Sequence, residues 1–176
     1  EHSTWENTPG MQGHLAGPKN GHSWAWAHCN TFVDEHGAPA PVIVDALSAR
    51  ARLGASGATP AMNAMYVHYN GEDHCFNRLR DLWGVHSRYD HTSWDLTAQR
   101  GRMRFECAIH ARLAYFAGVT YEDTDGTFLY CYNSKISDMT MRAYRDGALE
   151  RTLTATGTVA FEVVTRHTHD TIPLVI

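Results

Sequence analysis

Polar and apolar positions alternate with a period of two over most of this chain, which puts successive side chains on opposite faces of extended strands. The clearest runs are Met103, Phe105, Cys107 and Ile109 against Arg104, Glu106, Ala108 and His110, and Phe128, Tyr130 and Tyr132 against Leu129, Cys131 and Asn133. Val159, Phe161 and Val163 alternate in the same way with Ala160, Glu162 and Val164. Turn signals stand between the runs. Asn70-Gly71, which suits a type I′ turn, joins Met65–Tyr69 to Glu72–Asn77 as a hairpin. Arg100-Gly101, the segment 121–127 and Asp146-Gly147 mark further turns, and Gly157 divides 148–156 from 158–165. The Gly- and Pro-rich segment 33–41 folds a strand at 42–50 back on the strand at 22–32. Apolar residues at 76, 79, 82 and 83 have helical spacing, so one short helix or irregular link is expected there. The pattern predicts an antiparallel all-β sandwich or barrel. Residues 1–21 form an irregular N-terminal arm and 22–176 a single domain.

Composition narrows the reading. The 176 residues are 43% hydrophobic and 19% charged, enough for a core and unlike a disordered chain. The formal net charge is −4 and the basic residues form no run, so no nucleic-acid partner is expected. No apolar stretch approaches the roughly 18 residues of a membrane span. The four cysteines, at 29, 75, 107 and 131, form no CxxC pair; they read as reduced core residues of a cytoplasmic protein, with a disulfide-bonded secreted chain as the alternative. The 12 histidines are scattered, and His167-Thr168-His169 reads as a solvated tail. No metal and no cofactor are expected.

The stretch His22–Phe32 carries the strongest candidate chemistry. Trp24, Trp26, His28 and Asn30 share one strand face, while Ser23, Ala25, Ala27, Cys29 and Thr31 share the other. Two indoles, an imidazole and an amide in a row suit the wall of a pocket for a flat or greasy ligand. The alternative is that the indoles are core. Arg104, Glu106 and His110 also share a face, with roughly 7 Å between alternate residues, either as a second polar cluster or as a solvated outer face.

Gly21–Asn30 resembles the aromatic-His strand of tocopherol cyclase-like proteins and the related hydroxyneurosporene synthase group. Phe76–Leu82, Gly118–Asp123, Tyr130–Asn133 and Ala160–Glu162 resemble the C-terminal half of that group. The resemblance implies a lipocalin-like β-barrel, one of two in tandem, so a second barrel domain or a homodimer would complete the site. It implies a hydrophobic ligand, isoprenoid, polyene or polyketide-like, that is cyclised, hydrated or isomerised by cofactor-free acid–base chemistry. Trp24 and Trp26 would then stabilise positive charge, His28 would move a proton and Asn30 would orient a polar head. Glu106, His110 and Glu122 are the other proton-transfer candidates, and Tyr121 and Tyr130 would hydrogen-bond a substrate oxygen. A non-catalytic carrier and a structural β-domain of a larger protein are the competing readings.

Overall fold

The computed structural model describes residues 21–54, 57–78, 81, 84–122 and 126–174. The expected N-terminal arm, apart from Gly21, lies outside these residues, as does much of the link at 76–83. Eleven strands follow in order: β1 (Gly21–Cys29), β2 (Ile43–Leu53), β3 (Gly57–Ala58), β4 (Met62–Tyr69), β5 (Glu72–Phe76) and β6 (Val85–Tyr89). They continue as β7 (Ser93–Arg100), β8 (Met103–His110), β9 (Ala117–Glu122), β10 (Phe128–Arg145) and β11 (Ala148–Thr165). Among the described residues the named helical element is a three-residue 3-10 turn at Leu113–Tyr115. None of the helices among them is long and apolar enough to cross a membrane.

The all-β antiparallel class predicted from the alternation is what forms. The strands make one sheet in the order β5-β4-β2-β1-β11-β10-β8-β7-β6, with β3 beside β2 and β9 beside β10. Ladder pairing is antiparallel throughout. Against the expectation of a closed barrel, the sheet is open: it rolls up, but no described ladder joins its two ends. At the seam a side chain stands in for the ladder, the Asn63 amide of β4 donating to the Val85 carbonyl of β6 at 3.1 Å.

The tight turns follow their residues. Asn70-Gly71 and Asp146-Gly147 all have positive φ, as a type I′ hairpin demands. Gly157 also has positive φ, yet it does not break its strand. It sits where the β10–β11 register slips, and its N–H is held by the Asp138 carboxylate at 2.7 Å. The predicted strands at 128–132 and 139–144 are likewise one 18-residue strand. A bulge absorbs the irregular residue without ending the pairing.

One face of the sheet closes on an aromatic core. Trp94 stacks on Phe161 with ring centroids 6.1 Å apart, Phe116 meets Phe161 edge-on, and Phe105 is surrounded by Tyr69, His74 and Phe76. The small face of β1 turns into this interior: Ala25, Ala27 and Cys29 are buried, with Ala27 opposite Phe161. Volume explains the choice. An interior already holding Trp94 and Phe161 side by side takes Ala from the neighbouring strand and has no room for two more indoles. The row Trp24, Trp26 and His28 therefore lies on the outer face, which corrects its expected place on an inner wall. Of the cysteines, 29, 107 and 131 are buried and all four are free, but Cys75 is exposed, contrary to its reading as core.

Candidate functional site

β1 begins, β2 and β11 end, and β10 begins at one end of the rolled sheet. A cavity of about 520 Å³ opens there. Its walls include Arg52 from the end of β2, Arg166 and His167 just past β11, His22 at the start of β1, and Phe128 and Tyr130 from β10. Local sequence explains the composition. The inward positions of β2 run Val44, Ala46, Ser48, Arg50, Arg52, so the core-facing row turns cationic as it reaches solvent. On β10 the corresponding row Tyr132, Tyr130, Phe128 stays aromatic to the rim. A register shift between Gly21 and Ser23 re-aims His22 at the edge.

Arg166 is fixed by donating to the Gly21 carbonyl at 2.7 Å, which ties the end of β11 to the start of β1. Burial, then Arg166, Arg50, His167 and Arg52 in turn, hold the His22 pKa below its ordinary value. Every charged group in that set is cationic, so His22 favours its neutral form and could act as a proton acceptor.

The C-terminal segment crosses the same end as a strap. Ile172 is buried, the Gly118 N–H donates to the Pro173 carbonyl at 3.1 Å, and the His169 N–H donates to the Tyr132 hydroxyl at 2.6 Å. The His169 ring packs against His91 with centroids 4.5 Å apart, and His91 also meets Tyr132. His169 is thus a clasp and not part of a solvated tail. Buried His91 Nε2 has no hydrogen-bond partner among the described residues. Burial and then His169 lower the His91 pKa, opposed by Asp90.

Of the residues singled out from the sequence, Tyr130 lines the cavity, and Glu122 stands at the rim opposite Phe128, exposed. The others lie elsewhere. On the outer face Trp24 donates to buried Glu162 at 2.8 Å and Trp26 to Asp45 at 2.9 Å, while His28 Nδ1 lies 3.5 Å from the same Asp45 carboxylate. The Trp26 and His28 rings stack at 6.4 Å, with the Lys135 ammonium 5.5 Å from the Trp26 ring. Asn30 lies past the end of β1 and is exposed, so it does not extend the row. Tyr121 packs beside Cys131 on this outer side, its hydroxyl pKa pushed up to about 12 by burial and then by Cys131 and Glu162. Glu106 does meet Arg104, at 3.3 Å, and accepts from the Tyr144 hydroxyl at 2.9 Å. His110, at the other end of β8, is exposed and paired in register with Asp138 and Ser93, so it does not join them. The predicted acid–base set is therefore not gathered at one place. His22, Arg52, Arg166 and His167 line the cavity and are not among the residues singled out from the sequence; the apolar-to-cationic switch along β2 is the signal that points to Arg52.

No protein-family model matches the sequence, and no curated protein does. Among solved structures, a provisionally named AttH protein from Nitrosomonas europaea is similar at 8% identity and a TM-score of 0.48, covering 85% of this chain and 53% of that one. The chain thus spans about half the length of that protein.

Proposed function

We propose that this domain binds a hydrophobic small molecule, of the isoprenoid, polyene or polyketide kind, at the mouth of its rolled sheet. The observation that carries the reading is the open cavity of about 520 Å³ with Phe128 and Tyr130 on its wall, a volume in the range of small-molecule sites. The interior beneath is filled by Trp94, Phe161, Phe105 and their neighbours, so the mouth is where a ligand body can be accommodated. Native mass spectrometry of the purified protein tests this, with a lipophilic mass expected that disappears on denaturation. The substitution Phe128→Ser should deplete that mass. A protein that is always empty and takes up no lipophilic probe would sink the proposal.

Cofactor-free acid–base catalysis is a second reading. It is favoured by His22, kept neutral by its cationic neighbours on the same cavity as the Tyr130 phenol. If it holds, His22→Gln abolishes turnover of the identified ligand while affinity persists; a carrier shows no turnover to lose.

A further inference from the structure

We infer that the C-terminal strap is an acid-released latch: a proton on His91 parts it from His169, frees residues 168–174 from the end of the rolled sheet while the ladders stay paired, and uncovers Tyr132. The strap is held at separate points. The His169 N–H donates to the Tyr132 hydroxyl at 2.6 Å and the Gly118 N–H to the Pro173 carbonyl at 3.1 Å. Leu174 bridges to Gly118 in parallel, and Ile172 is buried in the core. Between strap and sheet lies the ring pair, His169 against His91 with centroids 4.5 Å apart, both beside Tyr132. The inward row of β10 runs Phe128, Tyr130, Tyr132: the first two line the cavity and the strap covers the third. Release therefore lengthens the aromatic wall of the mouth by one ring and empties the place of Ile172. That the longer wall serves a ligand rests on the mouth being the ligand site; the latch itself does not.

Both rings fit this place as neutral imidazoles. His169 Nδ1 accepts from the Thr171 N–H at 3.3 Å, which closes the strap's own turn; a proton on Nδ1 would end that bond, because a backbone N–H only donates. His91 Nε2 is buried and faces no acceptor among the described residues, so an imidazolium there would keep a charged N–H without a partner. The groups around His91 are His169 from the strap, Tyr132 from β10 and Asp90 of its own turn, with exposed His110 across the ladder from Ser93. Asp90 favours the proton, but its carboxylate is engaged in the turn by the Thr92 and Ser93 N–H groups, each at 2.7 Å. Burial and then His169 outweigh it, and covered His91 titrates below its ordinary value. Parting the strap returns water to the ring and takes His169 away. By linkage the released form binds the proton first, so the latch weakens as pH falls below about 6.5 and goes on weakening until the covered ring also titrates.

Hydrogen exchange of the full chain, followed by NMR, tests the latch. The Gly118 and His169 amides should be protected about a hundredfold less than β10–β11 amides around Met141 and Leu153, the sign of an opening that leaves the ladders paired. Corrected for intrinsic rates, their protection should fall roughly tenfold between about pH 7.5 and about pH 5.5, the effect of one proton taken up. His91→Phe keeps a ring in the gap but takes no proton, and should leave the strap amides equally protected at both. His169→Gln takes the covering ring off His91 and should shrink the same change, which keeps the test open if the first variant does not fold. Strap and ladder amides of equal protection, or strap protection indifferent to pH, would overturn the latch. N-phenylnaphthylamine, a neutral aromatic probe, should bind the parent more tightly in acid and His91→Phe alike throughout. An affinity indifferent to pH while the strap amides open would overturn the longer wall and leave the mouth as the site. No binding at any pH would overturn the mouth reading and the longer wall with it, while opening strap amides would still support the latch.

Discussion

Gly118→Ala tests whether the C-terminal strap is packed as tightly as its contacts imply. A Cβ at Gly118 would stand 2.9 Å from both the Pro173 carbonyl oxygen and Leu174 Cδ2, and 3.1 Å from Tyr132 Cε1. The Leu174 methyl can swing aside. The Pro173 oxygen is backbone, and it accepts from the Gly118 N–H itself, so it gives way only if the strap moves. Overpacking of this kind costs about 1–3 kcal/mol, while replacing Gly by Ala in a strand returns roughly 0.5–1 kcal/mol of backbone entropy. The net expectation is a loss of about 1 kcal/mol within a span of roughly 0–2.5 kcal/mol, or a drop in Tm of roughly 2–4 °C at about 2–4 °C per kcal/mol for a chain of this size. Denaturant and thermal melts measure it. Leu174→Ala added to Gly118→Ala should recover part of the loss but not all of it. An NMR titration of His91, whose ring is covered by strap residue His169, should show its pKa moving up towards the ordinary histidine value as the strap loosens. A variant as stable as the parent, with an unmoved His91 titration, would refute the reasoning.

The same histidine gives a pH dependence. Because burial lowers the His91 pKa in the folded state, the unfolded chain takes the proton first as pH falls below the ordinary value near 6.5, and stability is lost through that window until folded His91 also titrates. Comparing melts of the parent and His91→Gln between about pH 5 and pH 7 isolates this contribution; a parent no steeper than the variant contradicts it. On the outer face, Trp24→Phe keeps an aromatic ring but strips the 2.8 Å N–H donor from the buried Glu162 carboxylate. Hydrogen bonds to charged groups are worth roughly 1.5–3 kcal/mol, so equilibrium unfolding should show a loss of about 2 kcal/mol. A loss below about 0.5 kcal/mol would mean that water replaces the indole freely.

Local alternation and turn chemistry made the strands legible. Asn70-Gly71 and Asp146-Gly147 announced their hairpins because few other residues accept positive φ in succession. Periodicity also divided the residues of β1 correctly into two faces, but it could not say which face looks inward. That choice depends on Phe161, which lies opposite Ala27 from a strand far along the chain, and on Trp94 stacked against it. The large, half-polar residues Trp24, Trp26 and His28 read as a pocket wall from sequence because their chemistry is conspicuous. Yet both indole N–H groups satisfy themselves on carboxylates, Glu162 and Asp45, that come from β11 and β2. The mouth was illegible for a similar reason: His22, Arg52, Arg166 and His167 carry no shared motif, and rolling the sheet is what brings them together.

In the sheet order, β1 lies against β11, so the bond from Trp24 to Glu162 joins residues 138 positions apart. During synthesis the β1–β2 and β4–β5 hairpins leave the ribosome before β11 does, and so do the strands of the β7–β8 hairpin. Neither group touches the other through a ladder until β11 arrives to lie between β1 and β10. The nascent chain therefore waits with the outer edge of β1 unpaired, and a waiting edge is open to foreign strands. Completion of this sheet waits for residues 148–165, and a chain halted before residue 148 would carry two half-sheets that no ladder joins.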